Sequence, residues 1–366
     1  SLSLLFYKTG TLIPSLGAFI SSCINCSKFL TTRIDNHYRF LVKNLSGWCF
    51  YMEKVMTVAR SQQICVSDTP YYHIVSRCVR RAFLCGEDTL TGRSFEHRRQ
   101  WLIDRIKKVA SIFAIDVCSY AIMSNHFHLV LKIGANDNWT DKQALITWQS
   151  LYSLPVMCQR YLQGDELDDS SVRLVQKYAS EYRSRLCSIS WFMKSINEYV
   201  AKMANEEDRC TGHFWESRFK SQALLDERAL LTCMAYVDLN PIRACMAKSL
   251  ADSEYTSIKE RIDANKTDLL PFGKGVNDLP YYLSSYIDMV DETGRVIRDD
   301  KAGYISQKLG SALTELELNP DTWLDELKGF KSIGYSAVGT VNQLKEYSQK
   351  TQRKWTLGLC LKPALE

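Results

Sequence analysis

Hydrophobic and polar positions change period several times along this chain, and each change predicts an element. Residues 70–79 alternate and are rich in aromatic and β-branched side chains (Tyr71, Tyr72, Ile74, Val75), which predicts a strand. Between Ser94 and Ala114 the apolar positions Trp101, Ile103, Ile106 and Val109 recur near the helical period. Two β-rich runs follow, Ile115–Met123 and His126–Ile133, separated by Ser124-Asn125, a two-residue link of hairpin type. Residues 141–163 and 171–186 read as helical on either side of an acidic loop, and Ser190–Asn205 as a further amphipathic helix. Gly212–Ala223 mixes aromatic, polar and basic residues and reads as strand or extended loop. Asp226–Asp238 is a strongly patterned helix that Asn240-Pro241 is expected to close. This order predicts an α+β fold in which an antiparallel sheet carries helices on one face.

The pattern also divides the chain. Residues 56–250 hold the regular elements, with 141–187 as a helical insertion. Beyond Leu250 the composition shifts. Pro271, Gly273, Gly275 and Pro280 mark 251–283 as a linker, and 284–366 reads as a mostly helical, acidic C-terminal extension. Before residue 56 regular patterning is absent. The apolar-leaning run Leu4–Ile24 is broken by Lys8, Thr9, Gly10, Thr11, Pro14 and Ser15, so no membrane span is expected there, and the run matches a signal peptide poorly because it lacks the basic start. Met52 and Met56 are plausible starts, so residues 1–55 are expected to be a poorly structured or spurious extension.

Composition narrows the class without choosing a function. At 366 residues the chain has room for two or three domains, and 46% hydrophobic with 24% charged residues excludes disorder, collagen and coiled coil as the main architecture. The net charge of +5 is uneven: residues 56–250 carry 25 basic and 21 acidic groups, a bias that permits nucleic-acid binding without demanding it. The 13 cysteines are scattered, mostly among apolar neighbours, as buried free thiols in a reducing compartment would be. Cys23 and Cys26 have metal-like spacing, but no second pair answers them.

Only six histidines occur, and two lie in His126-Phe127-His128 on a predicted strand. Side chains at i and i+2 share a face, so both imidazoles point the same way and can chelate one divalent ion; such a pair is also read as incidental packing. On the helix ending near Asp238, Tyr236 and Asn240 are four apart and hence neighbours on one face. Asn240 can offer a carbonyl oxygen to a metal and Tyr236 a nucleophile, although a half-buried tyrosine and an Asn-Pro stop account for the same residues. His213-Phe214-Trp215-Glu216-Ser217-Arg218-Phe219-Lys220 interleaves aromatic and basic groups, as single-strand binders do and as amphipathic edge strands also do. Arg77, Arg80 and Arg81 form a second basic cluster.

The stretch Tyr120-Ala121-Ile122-Met123-Ser124-Asn125-His126-Phe127-His128-Leu129-Val130 resembles the metal-binding strand of single-tyrosine HUH transposases. Within that family it is most similar to the REP-associated tyrosine transposases. Tyr72-His73-Ile74-Val75-Ser76-Arg77, the strip 212–221 and Tyr236-Val237-Asp238-Leu239-Asn240-Pro241-Ile242-Arg243-Ala244 agree in order, and the resemblance covers roughly residues 65–250. It implies a ferredoxin-like HUH nuclease domain that binds Mg2+ or Mn2+ through His126 and His128, with Asn240 completing the metal site. It also implies Tyr236 as the nucleophile on a DNA phosphate. Arg77, His213, Trp215, Arg218 and Lys220 become DNA contacts, and the partner becomes single-stranded or hairpin DNA in a bacterial cytoplasm. Monomer and homodimer both stay open. The chain is longer than a minimal transposase of this kind by the insertion and the tail.

The chemistry is intelligible in its own terms. A phenol is a poor nucleophile near neutral pH until a cation favours the phenolate, and a metal neutralises charge building on the phosphate oxygens. Two other functions fit fewer of these residues: a catalytically silent DNA-binding protein derived from a transposase, and a metal-dependent hydrolase that activates water.

Overall fold

A computed structural model describes residues 26–34, 37–44, 49–55, 64, 68–79, 84–88, 92–136, 138–264, 267–298, 306–331, 334–351 and 357–362. Met56, Arg80, Arg81 and Cys23 lie outside the described residues. The chain divides into two units, Ser1–Ala59 and Arg60–Glu366. In the first, the described part of the expected N-terminal extension forms an antiparallel meander. Its strands are β1 (Cys26–Ile34), β2 (His37–Asn44) and β3 (Cys49–Val55), in that spatial order.

The second unit is built on a six-stranded sheet. Its first members are β4 (Tyr71–Arg77), β5 (Ile115–Ile122) and β6 (His126–Ile133), with helix α1 (His97–Ala110) between β4 and β5. The insertion holds α2 (Asp141–Gln149), α3 (Val156–Gln163) and α4 (Asp169–Leu186), followed by α5 (Ile189–Glu207). The expected single helix over 141–163 is split, because Pro155 starts a new helix at Val156. Then come β7 (Lys220–Leu224), α6 (Glu227–Asp238), α7 (Asn240–Arg243), α8 (Ser257–Asp263), α9 (Leu283–Arg298), α10 (Gln307–Glu315), α11 (Pro320–Gly329), β8 (Ala337–Gly339), α12 (Val341–Lys350) and β9 (Gly358–Cys360). None of the described helices is long and apolar enough to cross a membrane.

Two expectations about the sheet are corrected. The order is β5-β6-β4-β7-β8-β9, and only the first four strands are antiparallel; β8 runs parallel to β7 and β9 parallel to β8. Parallel neighbours need long crossovers, and the helices between Leu224 and Ala337 provide one. Helices also cover both faces rather than one. Tyr72, Ile74, Phe127, Leu129 and Leu131 pack with Leu102 and Ile106 of α1 and with Trp148, Tyr182 and Phe192 from the insertion and α5. On the opposite face Cys118, Ala121 and Val130 pack with Leu231, Met234 and Val237 of α6, and with Met289, Trp323 and Phe330 from the tail. A bulge between Val117 and Ser119 shifts the alternation in mid-strand, so that Ile115 and Val117 before it and Tyr120 and Ile122 after it all meet the first core.

The tail is therefore part of this unit, and the segment read as a linker is packed into it. Leu270 N–H donates to the Val117 carbonyl (2.9 Å), and Arg261 donates to the carbonyls of Cys118 (3.0 Å) and Leu270 (2.8 Å). Leu269, Leu270 and Leu279 are buried. Nor does Asn240-Pro241 end the helical path. Leu239 keeps α-helical angles and Pro241 sits in the first turn of α7, where its missing N–H costs no hydrogen bond.

Asp238 ties α6 to this surround. Its wholly buried carboxylate accepts from Ser257 Oγ (2.5 Å), the Ile258 N–H (3.1 Å) and Tyr286 OH (2.5 Å). Burial raises its pKa, while the serine and tyrosine hydroxyls work against that shift. Asp238→Ala strands these donors in the core, so a loss of about 3 kcal/mol or more is expected in urea unfolding. Tyr286→Phe, which removes one donor, should lose about 1 kcal/mol.

Candidate functional site

Register assembles the site. In the antiparallel pairs Arg77 stands opposite His126, Val75 opposite His128 and His73 opposite Val130. On the other side of β4, Val75 faces Lys220 and His73 faces Gln222. Directly paired residues point to the same face, so His126, His128, Arg77, His73, Lys220 and Gln222 all lie on the face that α6 covers. Asp226 starts α6 by accepting the Ala229 N–H (2.6 Å). Three helical turns later Tyr236 is delivered onto the histidines.

The imidazoles of His126 and His128 have ring centroids 4.9 Å apart, and the Tyr236 ring lies 5.7 Å from that of His128. His128 is 1% and Tyr236 4% exposed, whereas His126 and Arg77 are partly exposed and mark the open side. Both Nδ1 atoms are engaged: that of His126 with the Asn125 side-chain oxygen, that of His128 with His73 Nε2 at 2.9 Å. His128 Nε2 is buried with no hydrogen-bond partner.

Electrostatics set the protonation states. Burial, helped by Arg77, lowers His126 to about 4; burial lowers His73 to about 4 and holds His128 well below its ordinary value. The site therefore presents neutral imidazoles with lone pairs near pH 7. Burial raises the Tyr236 phenol, but Arg243 and Arg77 pull it back. Arg243 holds its guanidinium carbon 4.5 Å over the Tyr236 ring, and its Nη1 has no partner. Phe330 lies against the other parts of the cluster, 5.6 Å from the Tyr236 ring and 6.1 Å from that of His73.

The residues present fit a divalent cation. An orphaned buried imidazole nitrogen costs about 1–3 kcal/mol unless something binds it, and a second imidazole stands beside it. Asn240, one turn beyond Tyr236, is buried; its unpartnered amide nitrogen is a donor, so only its oxygen would serve as a ligand. Among the described residues no three His, Cys, Asp or Glu side chains form a metal cluster. A cation held by two imidazoles and an amide oxygen would keep open positions, as catalytic rather than structural sites do.

Not all the expected site residues meet. His126, His128, Arg77 and Tyr236 come together, and exposed Lys220 shares their face. His213 and Arg218 are exposed on the segment before β7. Trp215 packs instead on the opposite face, its ring 5.7 Å from Phe127 and its Nε1 donating to the Asn197 carbonyl (2.8 Å). Arg243 and Phe330 escaped the sequence reading. Arg243 is seven residues from Tyr236, two helical turns, and its spacing becomes visible once the helix is continued through Pro241. Nothing local to Phe330 signals its place.

No family model matches the chain, and no curated protein matches it. Among solved structures it is similar to a REP-associated tyrosine transposase bound to a REP hairpin. The identity is 14% over 58% of this chain and 89% of that one, with a TM-score of 0.29.

The buried imidazoles make stability pH-dependent. A histidine with an ordinary pKa of about 6.5 when unfolded takes up its proton there first, so stability is full above that value and falls towards about 4. His73 alone should cost about 2 kcal/mol on going from pH 7.5 to 5. Urea unfolding at the two pH values should show that loss, and a His73→Asn variant a correspondingly smaller difference.

Proposed function

We propose that this chain is a transposase-like enzyme that cuts and rejoins single-stranded DNA, with Tyr236 as nucleophile. The observation that carries the reading is the meeting of Tyr236 with the His126–His128 pair and Arg243, where His128 Nε2 and Arg243 Nη1 both lack partners. An unpartnered acceptor and an unpartnered cationic donor beside a phenol complement a cation and a phosphate oxygen. The four ordered sequence motifs point the same way. The enzyme is read as cytoplasmic and acting on hairpin-forming DNA ends.

His126 and His128, with the Asn240 amide oxygen, would hold Mg2+ or Mn2+, which would neutralise charge on the scissile phosphate. Arg243 and Arg77 lower the cost of forming the Tyr236 phenolate. The Tyr236 oxygen, its proton passed to solvent, attacks phosphorus; the bond from phosphorus to the 3′ oxygen breaks, and that oxygen leaves as a hydroxyl after taking a proton. A 5′-phosphotyrosine results. Attack on it by another 3′-hydroxyl restores a DNA phosphodiester and returns the tyrosine, so the bond is exchanged without a nucleotide cofactor. Lys220 and Arg77, on the same face, supply positive charge along the strand.

Incubation with labelled single-stranded hairpin DNA and Mn2+ tests this. A denaturant-resistant protein–DNA adduct is expected, absent in Tyr236→Phe and at least about 100-fold slower to form in His128→Ala or Arg243→Ala. Binding without adduct on any hairpin overturns the enzyme in favour of a DNA-binding protein. Cleavage that persists in Tyr236→Phe overturns it in favour of a hydrolase.

A further inference from the structure

Gln222, His73 and His128 form a chain of hydrogen bonds across three strands, and nothing in the reaction above employs its first two members. Gln222 Oε1 lies 2.6 Å from His73 Nδ1, and His73 Nε2 lies 2.9 Å from His128 Nδ1. The two histidine ring planes differ by 9°. A ring nitrogen's lone pair lies in the ring plane, so each imidazole directs its edge at the other. All three side chains are at most 1% exposed.

The chain has a direction. An amide oxygen only accepts, so His73 Nδ1 must carry the proton. A neutral imidazole has one donor and one acceptor, which leaves His73 Nε2 as an acceptor. His128 must then carry its proton on Nδ1, and its bare lone pair is on Nε2, the atom that has no protein partner. Strand register makes this possible. His73 pairs with Gln222 directly, and with His128 diagonally, since His128 stands opposite Val75 two residues along β4.

We propose that His73, oriented by Gln222, is a positioning residue that fixes the tautomer and direction of His128 so that Nε2 is presented to a divalent cation. This rests on the reading of His128 as a cation ligand. His73 itself touches neither cation nor DNA in this scheme. The partner that orients a metal-binding imidazole typically changes metal affinity 10–100-fold. His126 has a different brace, the neighbouring Asn125 side chain, so loss of His73 disables one ligand and spares the other.

Two measurements on the full chain test the inference apart from activity. In the wild-type protein without metal, nitrogen-15 NMR of the imidazoles should find His128 protonated on Nδ1 and bare on Nε2; the opposite tautomer overturns the proposal whatever the variants do. Calorimetric titration with Mn2+ alone should show about 10- to 100-fold weaker binding in His73→Leu and in Gln222→Leu. His73→Gln, which restores an acceptor towards His128, should regain most of the affinity. Unchanged affinity in both leucine variants, with His128→Ala abolishing binding, overturns the positioning role while the cation reading stands. Unchanged affinity in His128→Ala overturns the cation reading itself. Should His73→Leu fail to fold, the NMR result and Gln222→Leu decide.

Discussion

Everything at the site depends on one register, that of β4 held between β6 and β7. With Val75 opposite both His128 and Lys220, four kinds of polar side chain from three strands come to a single face. A slip of one residue in either pairing would turn its strand's set into the opposite core. That core would then receive imidazoles where Phe127, Leu129 and Ile74 now pack, so the hydrophobic alternation on both faces enforces the arrangement. The register is expensive to lose because apolar side chains pack on both faces.

The electrostatic character follows from this burial. The imidazoles are too dehydrated to be charged near neutral pH, so they contribute lone pairs, not positive charge. The positive charge comes from Arg77, Arg243 and Lys220. Lone pairs and positive charge are thus carried by different residues. In that environment a tyrosine beside arginine is shifted less than its burial alone would require.

Much of this was legible locally. The His-x-His strand, the helix carrying Tyr236 and the hairpin at Ser124-Asn125 follow from periods of two and 3.6 within short windows. What escaped was set by distant partners. β8 and β9 are three residues each, too short to show alternation, and they join the sheet only by pairing with β7 and each other. Prolines and glycines marked 251–283 as a linker although Leu269, Leu270 and Leu279 are buried there. The sequence groups Trp215 with its basic neighbours. Trp215 is partly buried on the other face, against Phe127 and Phe214, whereas His213 and Arg218 are exposed. Asn-Pro looked like a stop, and that reading concealed Arg243.

The parallel pairing of Ala223 with Ala337 also has a consequence in time. A chain emerging from the ribosome completes β4, β6 and β7 well before the last of their sheet neighbours exists, and β7 waits as a bare edge. Over the same interval the outer side of the Tyr236 helix lacks Trp323, Leu327 and Phe330, all of which pack there in the finished fold. Contacts so far apart in sequence form slowly. Nascent chains thus pass through a stage with an exposed strand and an uncovered apolar helix, the kind of surface that chaperones engage.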